Sequence, residues 1–376
     1  MRHAMIAVAA LSTVMVSSAS AQHGIGIHAR GFADFNYIDS ERTIAQGFRT
    51  GQIVGHVVAS LTDRIALFSE VSATPSSSGF SVEAERLLLR YDHNDGVRLG
   101  VGRFHAPISY WNQAFHHGQW LQPSLSRPEL ARPTSGFIPM HFVGVWAEGS
   151  LRPGVVELKY TVGLGNGRHT NLRRAGDAGD ANASRALVAS GAIVLPAPLG
   201  VQLGGAYYHD RVAPRETIDA TERIITAHLA RNRETPEFIL EYARITHDPR
   251  NFIGPITHSE SGYFLLGYRM PGPLHALKPY VRLDRTRVPA ADSVFAPLQL
   301  NYSGRTAGVR FDLATPMALK LEYRSERLES GPPLGTIAVQ LSFTFPGARQ
   351  DASVMTDHGE TSHDGTRTGA VPGRLQ

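Results

Sequence analysis

No cysteine occurs anywhere in the chain, which excludes disulfides, thiolate metal ligands, a lipid-modified cysteine and cysteine nucleophiles together. Cohesion must come from burial and backbone pairing. Lysine is scarce as well, occurring only as Lys159, Lys278 and Lys320, and the formal net charge of +4 comes without the clustered basic patches of a nucleic-acid binder. Long apolar runs are missing too. The uncharged run from Met5 to Val16 falls short of the roughly 20 residues that cross a bilayer as a helix. With Arg2 before it and Ala19-Ser20-Ala21 after it, residues 1–21 read as a cleavable secretory signal, and the mature chain is expected to begin at Gln22. A second uncharged stretch, Ala186 to Tyr208, is interrupted by Pro196, Pro198 and Leu199-Gly200, so it reads as two strands and a turn rather than a membrane helix.

What the chain does have is alternation with a period of two. Ile337, Val339, Leu341, Phe343 and Phe345 share one face, while Ala338, Gln340, Ser342 and Thr344 share the other. Val156, Leu158, Tyr160, Val162 and Leu164 stand against Glu157, Lys159 and Thr161, and Leu319, Leu321 and Tyr323 stand against Lys320, Glu322 and Arg324. Thirteen weaker segments, from Gly24–Ile38 through Ser303–Ala314, bring the expected total to about sixteen strands, an even number within the range of bacterial outer-membrane barrels.

The connections give an independent signal. Short, turn-forming ones such as Thr62-Asp63-Arg64, Arg152-Pro153-Gly154, Pro271-Gly272-Pro273 and Thr315-Pro316 alternate with long ones at 105–139, 165–184, 211–221, 246–260 and 288–302. Tight turns at one end and large loops at the other are the layout of a membrane barrel. A soluble β-sandwich would also alternate, but it would leave the loop lengths and the secretory signal unexplained. The expectation is an all-β, transmembrane antiparallel barrel over 22–345 in the outer membrane, followed by a disordered polar tail over 346–376.

If the apolar face meets lipid, the other face lines an aqueous bore. It would then carry Arg30, Arg86, Arg90, Arg98, Lys159, Arg282, Arg310, Lys320 and Arg324 among Asp34, Glu70, Glu148, Glu157, Glu241, Asp284, Asp312 and Glu322. Both signs are present, so strong selectivity for one sign is not implied. Each arginine is read first as a wall residue paired with a carboxylate and second as a step in an anion path.

The connection after the fifth strand is far longer than a hairpin needs and is dense in aromatics, prolines and histidines. Through the barrel layout and the segment Gly102-Arg103-Phe104-His105-Ala106-Pro107, the chain resembles sixteen-stranded Gram-negative porins, and within them the phosphate-selective group. The resemblance implies that this loop folds inward as a constriction, with Tyr110, Trp111, Trp120, Arg127, Glu129 and Arg132 beside it. It also implies a homotrimer and a passive diffusion channel for small hydrophilic, including anionic, solutes. The loop contains no lysine, whereas phosphate-selective members use lysines there, so phosphate does not follow.

His105, His116, His117 and His141 could hold zinc or copper if they converged. Adjacent side chains in extended backbone point to opposite sides, so no metal and no cofactor is expected. Asp177, Asp180 and Asn182 offer oxygen donors without an EF-hand spacing. No Gly-x-Ser-x-Gly sequence supports a lipid-modifying enzyme, the weakest alternative. The stronger alternative is a non-conducting barrel that sheathes or docks another envelope protein. Lipid and small polar solutes or ions are the expected partners.

Overall fold

The computed structural model describes residues 26–42, 46–298 and 300–346. The expected signal and the polar tail beyond Pro346 lie outside the described residues. Sixteen strands follow one another: β1 (Gly26–Ser40), β2 (Gly47–Ser60), β3 (Ile65–Ser76), β4 (Gly79–Asn94), β5 (Val97–His105), β6 (His141–Leu151), β7 (Glu157–Asn166) and β8 (Ala186–Val194). The second half comprises β9 (Gln202–Arg215), β10 (Ile218–Arg231), β11 (Glu237–Pro249), β12 (Thr257–Gly267), β13 (Leu277–Arg287), β14 (Tyr302–Ala314), β15 (Met317–Leu328) and β16 (Leu334–Pro346).

Every strand pairs antiparallel with its neighbours in sequence, and β1 pairs with β16 from Arg30↔Pro346 to Ser40↔Thr336, which closes the barrel. Closure leaves no edge, the condition a sheet must meet where no water can satisfy unpaired N–H and C=O groups. Among the described residues no helix is long and apolar enough to cross a membrane, so any crossing is made by strands.

The two faces of each strand separate as their alternation predicts. On β13, Val281 and Leu283 are exposed while Tyr280, Arg282 and Asp284 are buried; on β3 and β4, Leu67, Leu87 and Leu89 are exposed while Phe68, Glu70 and Leu88 are buried. Exposed leucines beside buried arginine and glutamate invert the order of a water-soluble protein. That inversion is the signature of a barrel whose outer face meets hydrocarbon.

Two local departures matter. The 211–221 stretch, expected as a long loop, is instead the end of a hairpin, because β9 and β10 extend to Arg215 and Ile218. Its charges looked like loop composition, but Arg211 Nε reaches both Asp219 carboxylate oxygens at 2.9 and 3.1 Å across the pair, and Val212 and Ala220 are buried beside them. Gly102, within β5, has φ +133°, and a Cβ there would stand 2.2 Å from the Leu87 carbonyl oxygen, so only glycine fits this close approach.

Leu283 lies mid-strand on the exposed apolar face. Leu283→Arg is expected to destabilise the barrel by about 2–4 kcal/mol, the cost of a cation on the lipid face near the bilayer centre. Denaturant unfolding in lipid vesicles measures it, and an unchanged midpoint would contradict the lipid-facing assignment.

Candidate functional site

The 106–140 segment, between β5 and β6, carries the largest set of non-local polar contacts. It opens on a short helix, α1 (Tyr110–Phe115), whose N-cap Ser109 accepts the Asn112 N–H at 3.2 Å. Trp111 is fully buried and packs on Phe115 and Tyr263, while Tyr110 lies against the His228 ring. The Glu241 carboxylate on β11 accepts the Tyr110 N–H at 2.8 Å, the Trp111 N–H at 3.3 Å and the Tyr263 hydroxyl at 2.9 Å. Acceptors belong at this end of a helix, where N–H groups lack intrahelical partners.

Further along, side chains from three more strands hold the backbone of the segment. Glu322 on β15 accepts the Leu125 and Ser126 N–H groups, each at 3.1 Å, and Asp284 on β13 accepts the Glu129 N–H at 3.1 Å. Arg282 on β13 donates to Ser124 Oγ at 3.0 Å and to the Arg127 carbonyl at 3.2 Å while bonding Asp284 at 2.8 Å. Lys320 on β15 donates to the carbonyls of Gln119, Gln122 and Ser124 at 2.6, 2.8 and 3.4 Å. Arg310 on β14 donates to the Trp120 carbonyl at 2.5 Å and lies 5.5 Å from the centre of its ring. Acids take the N–H groups and bases take the carbonyls, so both signs on the polar face are used by one segment.

Six of the expected polar-face residues, Glu241, Arg282, Asp284, Arg310, Lys320 and Glu322, are therefore brought together by the loop. Most of the others pair along the wall. Asp34 accepts from Asn36 and from the Gln52 N–H; Glu70 pairs with Arg86 and, at 3.0 Å, with His56. Arg90 meets Asp92 at 2.8 Å, Arg98 meets Asp95 at 3.4 Å, Lys159 lies 3.8 Å from Glu157, and Arg324 lies 3.2 Å from Glu326. Asp312 pairs with both Arg310 and Arg269 at 2.7 Å. Glu148 is half-buried opposite Arg98 in the ladder, and Arg30 is exposed opposite His56. Within the loop, Arg127 donates to the His116 carbonyl, while Arg132 pairs with Glu129 and lies 5.9 Å from the Tyr302 ring centre.

The histidines depart from expectation. His105, His116, His117 and His141 converge, and one nitrogen from each lies within 4.8 Å of the others. His116 caps α1 in helical conformation, φ −57° and ψ −50°, so its neighbour turns by about 100° rather than 180° and both rings face the cluster. Burial, and then the neighbouring imidazoles of His105, His117 and His141, hold His116 well below the usual histidine pKa. Glu85, which the sequence did not single out, lies 3.3 Å from His117 Nε2 and 3.0 Å from His141 Nε2. The oxygen donors considered for calcium are otherwise engaged: Asp177 pairs with Arg103 at 3.1 Å, and Asp180 lies 3.4 Å from Arg185.

Removing the Lys320 ammonium leaves three loop carbonyls without this donor. Lys320→Met is expected to cost about 1–3 kcal/mol and to open the loop to chymotrypsin, which cuts at its aromatic residues. Limited proteolysis of folded protein reads this out; a digestion rate equal to the wild type would deny Lys320 a role as clamp. Trypsin is uninformative, because Arg127 and Arg132 each precede a proline.

No family model and no curated protein matches the chain. Among solved structures, the anion-selective porin from Comamonas acidovorans aligns at TM-score 0.61 and 12% identity over 86% of this chain and 100% of that one. Salmonella typhi OmpF, in complex with daunomycin, aligns at TM-score 0.59 and 11% identity over 87% and 99%. The trimer form of Vibrio cholerae OmpT aligns at TM-score 0.57 and 11% identity over 86% and 100%. At such identities the likeness is one of fold, and the chain has the fold of the sixteen-stranded outer-membrane porins.

Proposed function

We propose that this chain is an outer-membrane channel for passive diffusion of small hydrophilic solutes, narrowed by the 106–140 segment folded into its bore. The observation that carries the reading is the clamp. A segment anchored on β5 and β6 is hydrogen-bonded by side chains of β11, β13, β14 and β15, on the face opposite the exposed leucines. A chain of this length reaches those strands by crossing the barrel interior, where it occupies part of the bore.

One open space lies along β7 to β10. A pocket there is bounded by Pro107, Tyr110 and Gln113 of the segment and by Lys159, Gln202 and His228 of the wall, with small residues such as Ser190, Gly191 and Gly205 leaving room. Its lining includes one cation, Lys159, and no carboxylate, which favours small anions over cations at the narrow point, where fixed charge is least screened. No covalent step belongs to this reading. Assembly as a homotrimer accords with the trimeric form of the Vibrio cholerae neighbour, since the same apolar face can meet lipid or a second copy.

Planar-bilayer recording of the purified protein is expected to show discrete open-channel currents. Folded protein that passes no ions would favour the sheath instead. Lys159→Glu changes the local charge by two units and is expected to lower the anion-to-cation permeability ratio by roughly twofold, read as a shift in reversal potential across a salt gradient. Deleting Tyr110–Arg132 is expected to raise single-channel conductance, and an unchanged conductance would place the narrow point elsewhere.

A further inference from the structure

The four-histidine cluster has features that a merely packed set of imidazoles does not need. His116 Nδ1 faces the Asn112 side-chain oxygen, and that amide cannot turn round, because its nitrogen donates to the carbonyls of Ala106 and Met140 at 3.1 and 2.8 Å. The proton is therefore fixed on Nδ1 of His116, and Nε2 carries a free lone pair. His117 Nδ1 likewise lies 2.8 Å from the Gln52 side-chain oxygen, and the same amide bonds the Thr74 hydroxyl at 2.9 Å. An amide or carboxylate that holds one ring nitrogen so that the other can coordinate is the usual outer shell of a metal-bound histidine.

The coordinating side of the cluster is turned toward carboxylates. Nε2 of each of three rings is buried and faces a carboxylate: Glu70 lies 3.6 Å from His105, and Glu85 lies 3.3 Å from His117 and 3.0 Å from His141. A carboxylate oxygen facing an imidazole lone pair is repelled by it, so a proton or a cation must lie between them. Glu85 and Glu70, within 3.0–3.6 Å of the ring nitrogens, supply negative charge to offset a cation.

We propose that His105, His116, His117 and His141 form a binding site for a single divalent first-row transition ion of the zinc type. Neutral nitrogen donors with no thiolate suit zinc, and exclude calcium and magnesium as preferred ions, since those take oxygen ligands. A tetrahedral ion with bonds of about 2.0–2.1 Å needs its donors about 3.4 Å apart, so the rings close inward slightly from separations of up to 4.8 Å. The ligands bracket the loop. His105 ends β5, His141 begins β6, and His116 and His117 follow α1, so the ion staples both ends of the 106–140 segment to its helix. The binding is independent of whether the barrel conducts.

Untagged full-length protein, folded in detergent and stripped with chelator, is titrated with zinc chloride and passed through gel filtration before metal analysis. One zinc per chain is expected, retained against millimolar calcium. His116→Gln and the double variant His105→Gln/His141→Gln should retain none, Asn112→Ala should bind roughly 10–100-fold more weakly, and His258→Asn, remote from the cluster, should bind as the wild type. Each variant is first shown to be folded by its heat-dependent mobility on gels. Cobalt(II) loading of the wild type gives a check free of any substitution: the intense visible bands of a tetrahedral nitrogen site are expected. A wild type that retains no zinc, a cobalt spectrum like that of the aqueous ion, or undiminished binding in the double variant would overturn the proposal.

Discussion

A peptide group that meets hydrocarbon has no water to bond, and the rest of this structure follows from that constraint. It requires each strand to have a neighbour on both sides, hence the pairing of β1 with β16, and it requires the outward side chains to be apolar whatever the inward ones are. The second requirement frees the opposite face to carry charge in amounts a soluble protein of this size would not bury. Glu70, Arg282, Lys320 and Glu322 are each no more than 2% exposed, yet none stands alone. Their partners are other wall residues or backbone groups of the 106–140 segment. Removing one partner from such a set costs more than forming the pair ever gained, because a buried charge is left uncompensated.

The clamp on that segment shows how the constraint passes from wall to loop. Irregular buried backbone presents N–H and C=O groups with no ladder to join. Here the wall supplies the missing partners, acids for Leu125, Ser126 and Glu129 and bases for Gln119, Gln122 and Ser124. Six charged residues of the polar face, Glu241, Arg282, Asp284, Arg310, Lys320 and Glu322, are thus taken up by this segment. Outside that set, Lys159 and His228 line a pocket beside β7 to β10.

The barrel was legible in the sequence because its two faces differ chemically at every step, so the alternation is visible within a few residues and needs no knowledge of distant contacts. All sixteen strands fall on alternating segments, and the uncharged Ala186–Tyr208 stretch forms β8, a turn and β9. The signal failed where charges pair across a hairpin, as Arg211 and Asp219 do, since the same residues read singly suggest a solvated loop. It could not give the clamp, because Lys320 and Gln119 are 201 residues apart and nothing in either neighbourhood encodes the other. Nor could spacing reveal the histidines. The prediction that His116 and His117 diverge assumed extended backbone, and the helical turn that Ser109 initiates reverses it.

Beyond the barrel wall the same rule organises the outer connections. Arg168, between β7 and β8, donates to Glu222 at 2.8 Å with both side chains fully buried; His247 joins Glu222 at 3.0 Å to Asp292, between β13 and β14, at 2.9 Å. Ser259 adds a bond to Asp292 at 2.7 Å, and Phe295 stacks on Phe137 of the 106–140 segment with ring centres 5.5 Å apart. Two loops that are far apart in sequence therefore share one charge-balanced cluster, which also touches the 106–140 segment. Breaking one of these ties separates a buried guanidinium or imidazole from its carboxylate, which costs free energy. The mouth of the barrel is held in shape by the same intolerance of unpaired polar groups that closes its wall.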